Sequence, residues 1–221
     1  MMAKNVLITG ASKGIGEEIA YRFAREGYNL GLCYCKDKNG AEKIGKKCKD
    51  LGSGEIFFIE LDLRKDESIR EAIKKFVGNF GKIDFLINNA GVVRGKPALK
   101  HSFEDLQEIV DVNVSGLMKM TTEAVKNMGG GVIVNVSSGA AHEVYEHIIP
   151  YCASKFAVRA YTIGLGLELP RKIRVYSVNP GLTATRMTNF KGVHPSVVAE
   201  VVYDAALEKK GLKSGEDVDV E

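Results

Sequence analysis

Short, near-continuously apolar runs alternate along this chain with longer stretches whose apolar residues recur every three or four positions. The runs Asn5 to Thr9, Leu30 to Tyr34, Ile56 to Leu61, Phe85 to Asn88, Gly131 to Val136 and Ile173 to Val178 are rich in β-branched and aromatic residues and read as strands. Strands apolar on both sides belong to a parallel sheet covered on two faces. Between them lie helical patterns: Ile15, Ile19 and Phe23; Ala41 to Leu51; Ile69, Ile73, Phe76 and Val77. A longer one runs from Phe103 to about Met128, opened by Ser102 as N-cap with Asp105 three residues on. A fifth starts near Tyr151, just after the helix breaker Pro150, and ends before Pro170; a last one runs from Pro195 to Lys209. Residues 217 to 221, DVDVE, fit a final edge strand. The alternation predicts an α/β fold, a doubly wound parallel sheet forming one domain over residues 1–221 and carrying cofactor and substrate sites together, with ligands at the carboxyl ends of the strands. No internal repeat or linker interrupts the pattern.

Composition narrows the function classes. Of 221 residues, 45% are hydrophobic and 27% charged, and the formal net charge of +3 comes from 31 basic and 28 acidic residues dispersed along the chain. Without a sustained Lys/Arg tract, a nucleic-acid partner is not expected. Cys33, Cys35, Cys48 and Cys152 are too irregularly spaced for a disulfide framework or a zinc site, so free thiols in a reducing compartment are expected. The first residues, MMAKNVLITG, are too brief for a signal-peptide core, and no apolar run reaches membrane-spanning length. The expected location is cytoplasmic, with no membrane partner.

The first strand runs into TGASKGIG, whose Gly10, Gly14 and Gly16 lie just before a helical pattern. Glycines there let the backbone approach a pyrophosphate, and a helix N-terminus supplies free N–H groups and partial positive charge. Gly10, Ser12, Lys13, Gly14, Ile15 and Gly16 are therefore candidate dinucleotide ligands. An acid ending the second strand would grip a ribose 2′-hydroxyl and repel a 2′-phosphate. Here that strand ends on Tyr34 and Cys35 and is followed by Lys36, and Lys13 lies in the loop. Two cations favour NADP(H), with NAD(H) the alternative; Asp37 counts slightly against.

In YCASK, helical spacing places Tyr151 and Lys155 on one face, where the ammonium would lower the phenol pKa towards neutrality. On its own the pair is equally compatible with a solvated surface.

TGASKGIG, NNAG at Asn88 to Gly91, Asn113, Ser137-Ser138, YCASK and NPG at Asn179 to Gly181 occur in this order, and with them the chain resembles the short-chain dehydrogenase/reductase family from about Lys4 to Arg186. The resemblance implies a Rossmann-type sheet of about seven parallel strands, a nicotinamide cofactor and hydride transfer between a carbonyl and an alcohol of a small molecule. Matched residue by residue, it implies Tyr151 as general acid/base, Lys155 as its partner and ribose ligand, and Ser138, with Ser137 as rival, as the second hydrogen-bond donor. It further implies Asn113 as holder of a water in a proton relay. Asp62, with Leu63 beside it, would meet the adenine; Asn89, Ala90 and Gly91 the adenosine ribose; Pro180, Gly181, Thr183 and Thr185 the nicotinamide side. Asn88 would brace the strand ends. A homo-oligomer, dimer or tetramer, is also implied. A dinucleotide sensor without catalysis is the alternative reading.

Two stretches depart from the family pattern. Only MTNFKGVH separates Arg186 from Pro195, too short for a long mobile lid, so an open site is expected. The segment GAAHEVYEHIIP between serine and tyrosine is polar, read either as recognition of a polar substrate or as a loop touching only water. His142 and His147 stand too far apart for a helical zinc pair.

Overall fold

The computed structural model describes residues 3–209 and 211–220. Seven parallel strands form one sheet in the order β3-β2-β1-β4-β5-β6-β7. They are β1 (Asn5–Ile8), β2 (Asn29–Tyr34), β3 (Ile56–Glu60), β4 (Phe85–Asn88), β5 (Gly131–Val136), β6 (Ile173–Pro180) and β7 (Asp217–Val220). The helices are α1 (Gly14–Ala24), α2 (Lys38–Asp50), α3 (Asp66–Phe80), α4 (Phe103–Val110), α5 (Leu117–Val125), α6 (Ile149–Glu168) and α7 (Pro195–Ala206).

The unbroken apolar strands follow from burial on both sides. Val6, Ile8, Phe85 and Ile87 join the core beneath α1, α2 and α7. Their neighbours Leu7 and Leu86 point the other way, to Ile69, Ile73 and Phe76 of α3 and Met120 of α5. Chain order reverses between β1 and β4, which pair in register Val6–Phe85 to Ile8–Ile87. The crevice beyond their carboxyl ends is the switch point where an open sheet of this kind receives a ligand.

Several boundaries differ from those the sequence predicts. The long fourth helix is continuous in path but divided: between α4 and α5, Asp111–Gly116 widens into a π-helical turn. Pro150 does not precede the fifth helix but occupies its first turn, where a missing N–H costs nothing. Helix α7 stops at Ala206 rather than Lys209, because Glu208 turns left-handed (φ 57°). Its carboxylate there accepts the hydroxyl of the fully buried Tyr176 at 2.8 Å and pairs with Arg174. The expected edge strand forms as β7, in register Ser177–Asp217 to Pro180–Val220 with β6; Glu221 lies outside the described residues.

Candidate active site

The glycine loop leaves β1 at Thr9 and is fastened across the crevice. The Thr9 hydroxyl accepts the main-chain N–H groups of Asn89 and Ala90, each at 3.0 Å, and the Asn89 amide donates to the carbonyls of Thr9 (3.0 Å) and Gly10 (3.1 Å). Asn89 thus spends its side-chain N–H groups on holding the loop. Gly10 is left-handed (φ +65°), and a Cβ there would lie 2.9 Å from Ala90 Cα. A Cβ on Gly16 would collide with the Gly10 carbonyl oxygen. Lys13, at the N-cap of α1, is extended and offers no side-chain cap, so no side chain at the cap takes up the helix's first N–H groups. Close backbone approach and an uncapped N-terminus fit a pyrophosphate. Ser12 and Ile15 flank this turn half-buried, Lys13 is exposed, and Gly14 faces Thr185, whose Cγ2 a Cβ would meet at 3.3 Å.

At the carboxyl end of β2, Lys36 is exposed. Asp37 caps α2, its carboxylate accepting the Gly40 N–H at 2.8 Å. Asp62 follows β3, and Leu63 is buried beneath the π turn, against Gly116. The sequence pattern did not mark Arg64, which binds Asp62 through Nε at 2.8 Å and Nη2 at 2.7 Å. That guanidinium holds the Asp62 carboxyl below the usual carboxylate range.

At the other end, the two serines after β5 separate by strand alternation. Ser137 is buried and donates to the Lys155 carbonyl at 3.3 Å. Ser138 is extended, accepts the Ala140 N–H at 3.1 Å and lies beside the Tyr151 phenol. Lys155 is buried; its Nζ donates to the Val136 carbonyl at 3.0 Å and stands 5.5 Å from the centre of the Tyr151 ring. Burial pushes the phenol up to about 12, with the Ser138 hydroxyl pulling the other way. Burial brings the ammonium down to about 8. The expected lowering of the tyrosine by its lysine is not found: loss of water around both groups outweighs their proximity.

Asn113 lies in the π turn, buried, with Oδ1 accepting from Val92 N and Nδ2 donating to Val92 O, both at 2.8 Å, and to Ser154 Oγ at 3.0 Å. Ser154 in turn donates to the Tyr151 carbonyl at 2.6 Å. The side chain therefore clamps the segment after β4 to α6. A Cβ on Gly91 would stand 3.4 Å from Asn113 Oδ1 and 3.8 Å from Lys155 Nζ, so these residues converge. Asn88 braces the strand ends as anticipated, donating to Thr121 and Asn135 at 2.9 Å each.

Pro180 closes β6 and is buried, whereas Gly181 is exposed. Thr183 donates to the Gly181 carbonyl at 3.1 Å and pairs with Val193 in an isolated bridge. Thr185 caps a turn over Arg186–Thr188. The Thr188 hydroxyl bonds the Thr185 and Lys191 carbonyls at 3.1 Å, which makes the short segment a knot rather than a flap. It displays Leu182, Met187 and Phe190, all at least half exposed. The polar segment before Tyr151 does not touch only water: His142 Nε2 lies 3.2 Å from Asp219 Oδ1 and 3.0 Å from Asn179 Nδ2, and the Tyr145 hydroxyl donates to Glu143 at 3.0 Å. Among the described residues no group of three His, Cys, Asp or Glu side chains could hold a metal ion.

The chain is similar in sequence and fold to known proteins. The family model for short chain dehydrogenases matches residues 4–194. The 3-oxoacyl-[acyl-carrier-protein] reductase FabG of Staphylococcus epidermidis is 32% identical over 99% of this chain and 88% of its own length. The 3beta-hydroxysteroid dehydrogenase 1 of Eggerthella lenta is 32% identical over 90% of this chain and 78% of its own. A dehydrogenase/reductase from Sinorhizobium meliloti superposes with a TM-score of 0.92 at 29% identity, covering 100% of this chain and 94% of that one. A short chain dehydrogenase from Burkholderia cenocepacia, solved with NADP, gives 0.91 at 29% identity, covering 99% and 96%.

Proposed function

Because the chain belongs to the short-chain dehydrogenase/reductase family, whose members are NAD(P)-dependent oxidoreductases, we propose that it interconverts a carbonyl and a secondary alcohol of a small molecule with NADP(H), using Tyr151 as general acid and base. The observation that carries this reading is the convergence of Ser138, Tyr151 and Lys155 at the strand ends, next to a glycine loop shaped for a pyrophosphate.

The glycine loop, Lys155, Thr183 and Thr185 would hold the dinucleotide, which when bound supplies or accepts the hydride. Tyr151 gives its phenolic proton to the carbonyl oxygen during reduction, and the Ser138 hydroxyl hydrogen-bonds the same oxygen. Burial raises the phenol pKa, so Tyr151 holds its proton at neutral pH and is in the form that acts as the acid in the reductive direction. Lys155 presents a buried ammonium behind the phenol, stabilising the negative charge left on it. Asn113, its side chain bonded to Val92 and Ser154, would position the widened turn so that a water held by a main-chain carbonyl there passes protons towards Lys155.

Lys13 and Lys36 support NADP(H), as does the likeness to the NADP complex, and Asp37, which caps α2, counts slightly against. The apolar side chains on the short knot, and relatives named for 3-oxoacyl and 3beta-hydroxysteroid chemistry, make ketones with an apolar body the first substrates to try. One unit carries both sites. Exposed Phe103 and Val110 on α4 and Phe156, Ile163 and Leu167 on α6, together with Leu99 just before α4, support self-association. Four free cysteines support a reducing, cytoplasmic setting.

The test is NADPH oxidation across a panel of ketones and aldehydes. Turnover should fall by roughly three orders of magnitude in Tyr151→Phe while NADPH still binds. Retained turnover in that variant would remove Tyr151 from the chemistry, and silence of the wild type across the panel, with tight NADPH binding, would favour a sensor.

A further inference from the structure

The segment between Ser138 and Tyr151 is tied into the molecule along its length. The Glu143 N–H donates to the Gly139 carbonyl at 3.2 Å, and the Tyr145 N–H donates to the sulfur of buried Cys152 on α6 at 3.4 Å. Farther along, the His147 carbonyl accepts the Lys96 N–H at 2.7 Å. His142 holds the near end against Asn179 and Asp219. A segment fastened at these points presents its side chains in fixed directions.

Gly139 marks where the Tyr145 hydroxyl is presented. A Cβ on Gly139 would stand 3.9 Å from Tyr145 Oη, 3.7 Å from the Pro180 carbonyl oxygen and 4.0 Å from Gly181 Cα. The hydroxyl therefore lies beside the residue that follows Ser138, on the side where β6 ends. It donates to Glu143 Oε2 at 3.0 Å, and that hydrogen bond raises the Tyr145 pKa, so the proton stays on the phenol and points at the carboxylate. With its one hydrogen engaged, the Tyr145 oxygen can only accept, as can a carboxylate. Arg94 and Lys96, on the loop after β4, pair with Glu108 and Asp105 of α4 rather than with Glu143. Of the other charged groups on the segment, Glu146 is a further acid and His142 faces Asp219. Next to Ser138 the protein thus offers hydrogen-bond acceptors and negative charge.

We propose that Glu143 and Tyr145 determine specificity by accepting a hydrogen bond from the substrate, and that the preferred substrates are ketones with a hydroxyl on the carbon next to the carbonyl. This rests on the carbonyl–alcohol chemistry proposed above. Ser138 and Tyr151 hold the carbonyl oxygen through hydrogen bonds they donate, and Tyr145 and Glu143 hold the neighbouring hydroxyl through ones they accept. The two opposite kinds of contact fix which face of the carbonyl is turned to the hydride. A carboxylate in place of the hydroxyl would meet Glu143 and be repelled. An apolar body farther from the carbonyl is compatible with the exposed Leu182, Met187 and Phe190 of the knot.

Steady-state NADPH oxidation with acetoin, butanone and pyruvate tests it, for the wild type, Tyr145→Phe and Glu143→Gln. The quantity read is the ratio of kcat/KM for acetoin to that for butanone. Loss of folded protein cancels within each ratio, and the greater intrinsic reactivity of the hydroxyketone cancels between proteins. The ratio should fall roughly three- to ten-fold in each variant, the range for one hydrogen bond. Pyruvate should gain roughly five-fold against butanone in Glu143→Gln, a gain that damage to the fold cannot produce. An unchanged acetoin ratio in either variant, or a wild type that reduces other ketones but not acetoin, would overturn the proposal. A wild type inert to these three and to the wider panel would instead overturn the proposed function, and this inference with it.

Discussion

Lys155 is the residue on which the proposed chemistry and stability pull against each other. It is buried, with its ammonium at about 8 against about 10.4 in an unfolded chain. Between those values the unfolded state binds the extra proton, so this group's contribution makes stability rise with pH from about 8 to about 10. Below pH 8 the cost of burying the charge is present in full, roughly 3 kcal/mol. Replacing Lys155 by Met removes that cost but strands the Val136 carbonyl, worth about 1 kcal/mol, so Lys155→Met should be about 2 kcal/mol more stable than wild type at pH 7. The advantage should vanish near pH 10, as urea unfolding at the two pH values would show, and cofactor affinity and turnover should both drop. A gap independent of pH would mean that the lysine is not desolvated as its surroundings indicate. The stability penalty is what holds a charge behind the Tyr151 phenol.

At the scale of elements, the site depends on two cross-braces. One ties the glycine loop to the end of β4 through Thr9 and Asn89. Gly16→Ala would drive a methyl into the Gly10 carbonyl, so the loop must shift; NADPH affinity should fall at least about ten-fold, with roughly 1–3 kcal/mol of stability lost. A calorimetric titration with NADPH checks this, and wild-type affinity would show that the loop does not receive the pyrophosphate. The other brace crosses the sheet: Thr121 and Asn135 both bond Asn88, and Asn135 reaches Thr162 on α6 at 2.9 Å. All four side chains are buried. Asn88→Leu leaves the Asn135 and Thr121 oxygens without their donor and should cost about 2–4 kcal/mol, read as a lowered urea midpoint with unchanged slope.

The whole molecule presents α4 and α6 to solvent with Phe103 at 87% exposure and Leu167 at 84%, side chains that a lone surface rarely leaves together. Sedimentation should therefore find an oligomer at micromolar concentration. Phe103→Asp should shift it towards monomer with its secondary structure intact. A monomeric wild type would assign that face to another partner. No helix among the described residues is long and apolar enough to cross a membrane. Further round the molecule, β7 contributes Asp219 to the segment carrying Ser138 through His142 and Asn179, so the end of the described chain also reaches the site.

The sequence by itself determined the parallel sheet and the glycine loop. Strands buried on both faces must be apolar throughout, and a backbone that approaches a phosphate admits little besides glycine, so both demands are written locally in residue type. It also ordered Ser138, Tyr151 and Lys155 along the chain, because strand end and helix turn fix their spacing. Only the tertiary structure decided what each polar group spends its bonds on. Asn89 holds the loop, Asn113 clamps Val92 in a π turn, Asp37 caps a helix, Arg64 grips Asp62, and burial raises the tyrosine that its lysine was expected to lower. These outcomes depend on partners distant in sequence or on the water excluded when the elements pack, and neither quantity is encoded in a spacing.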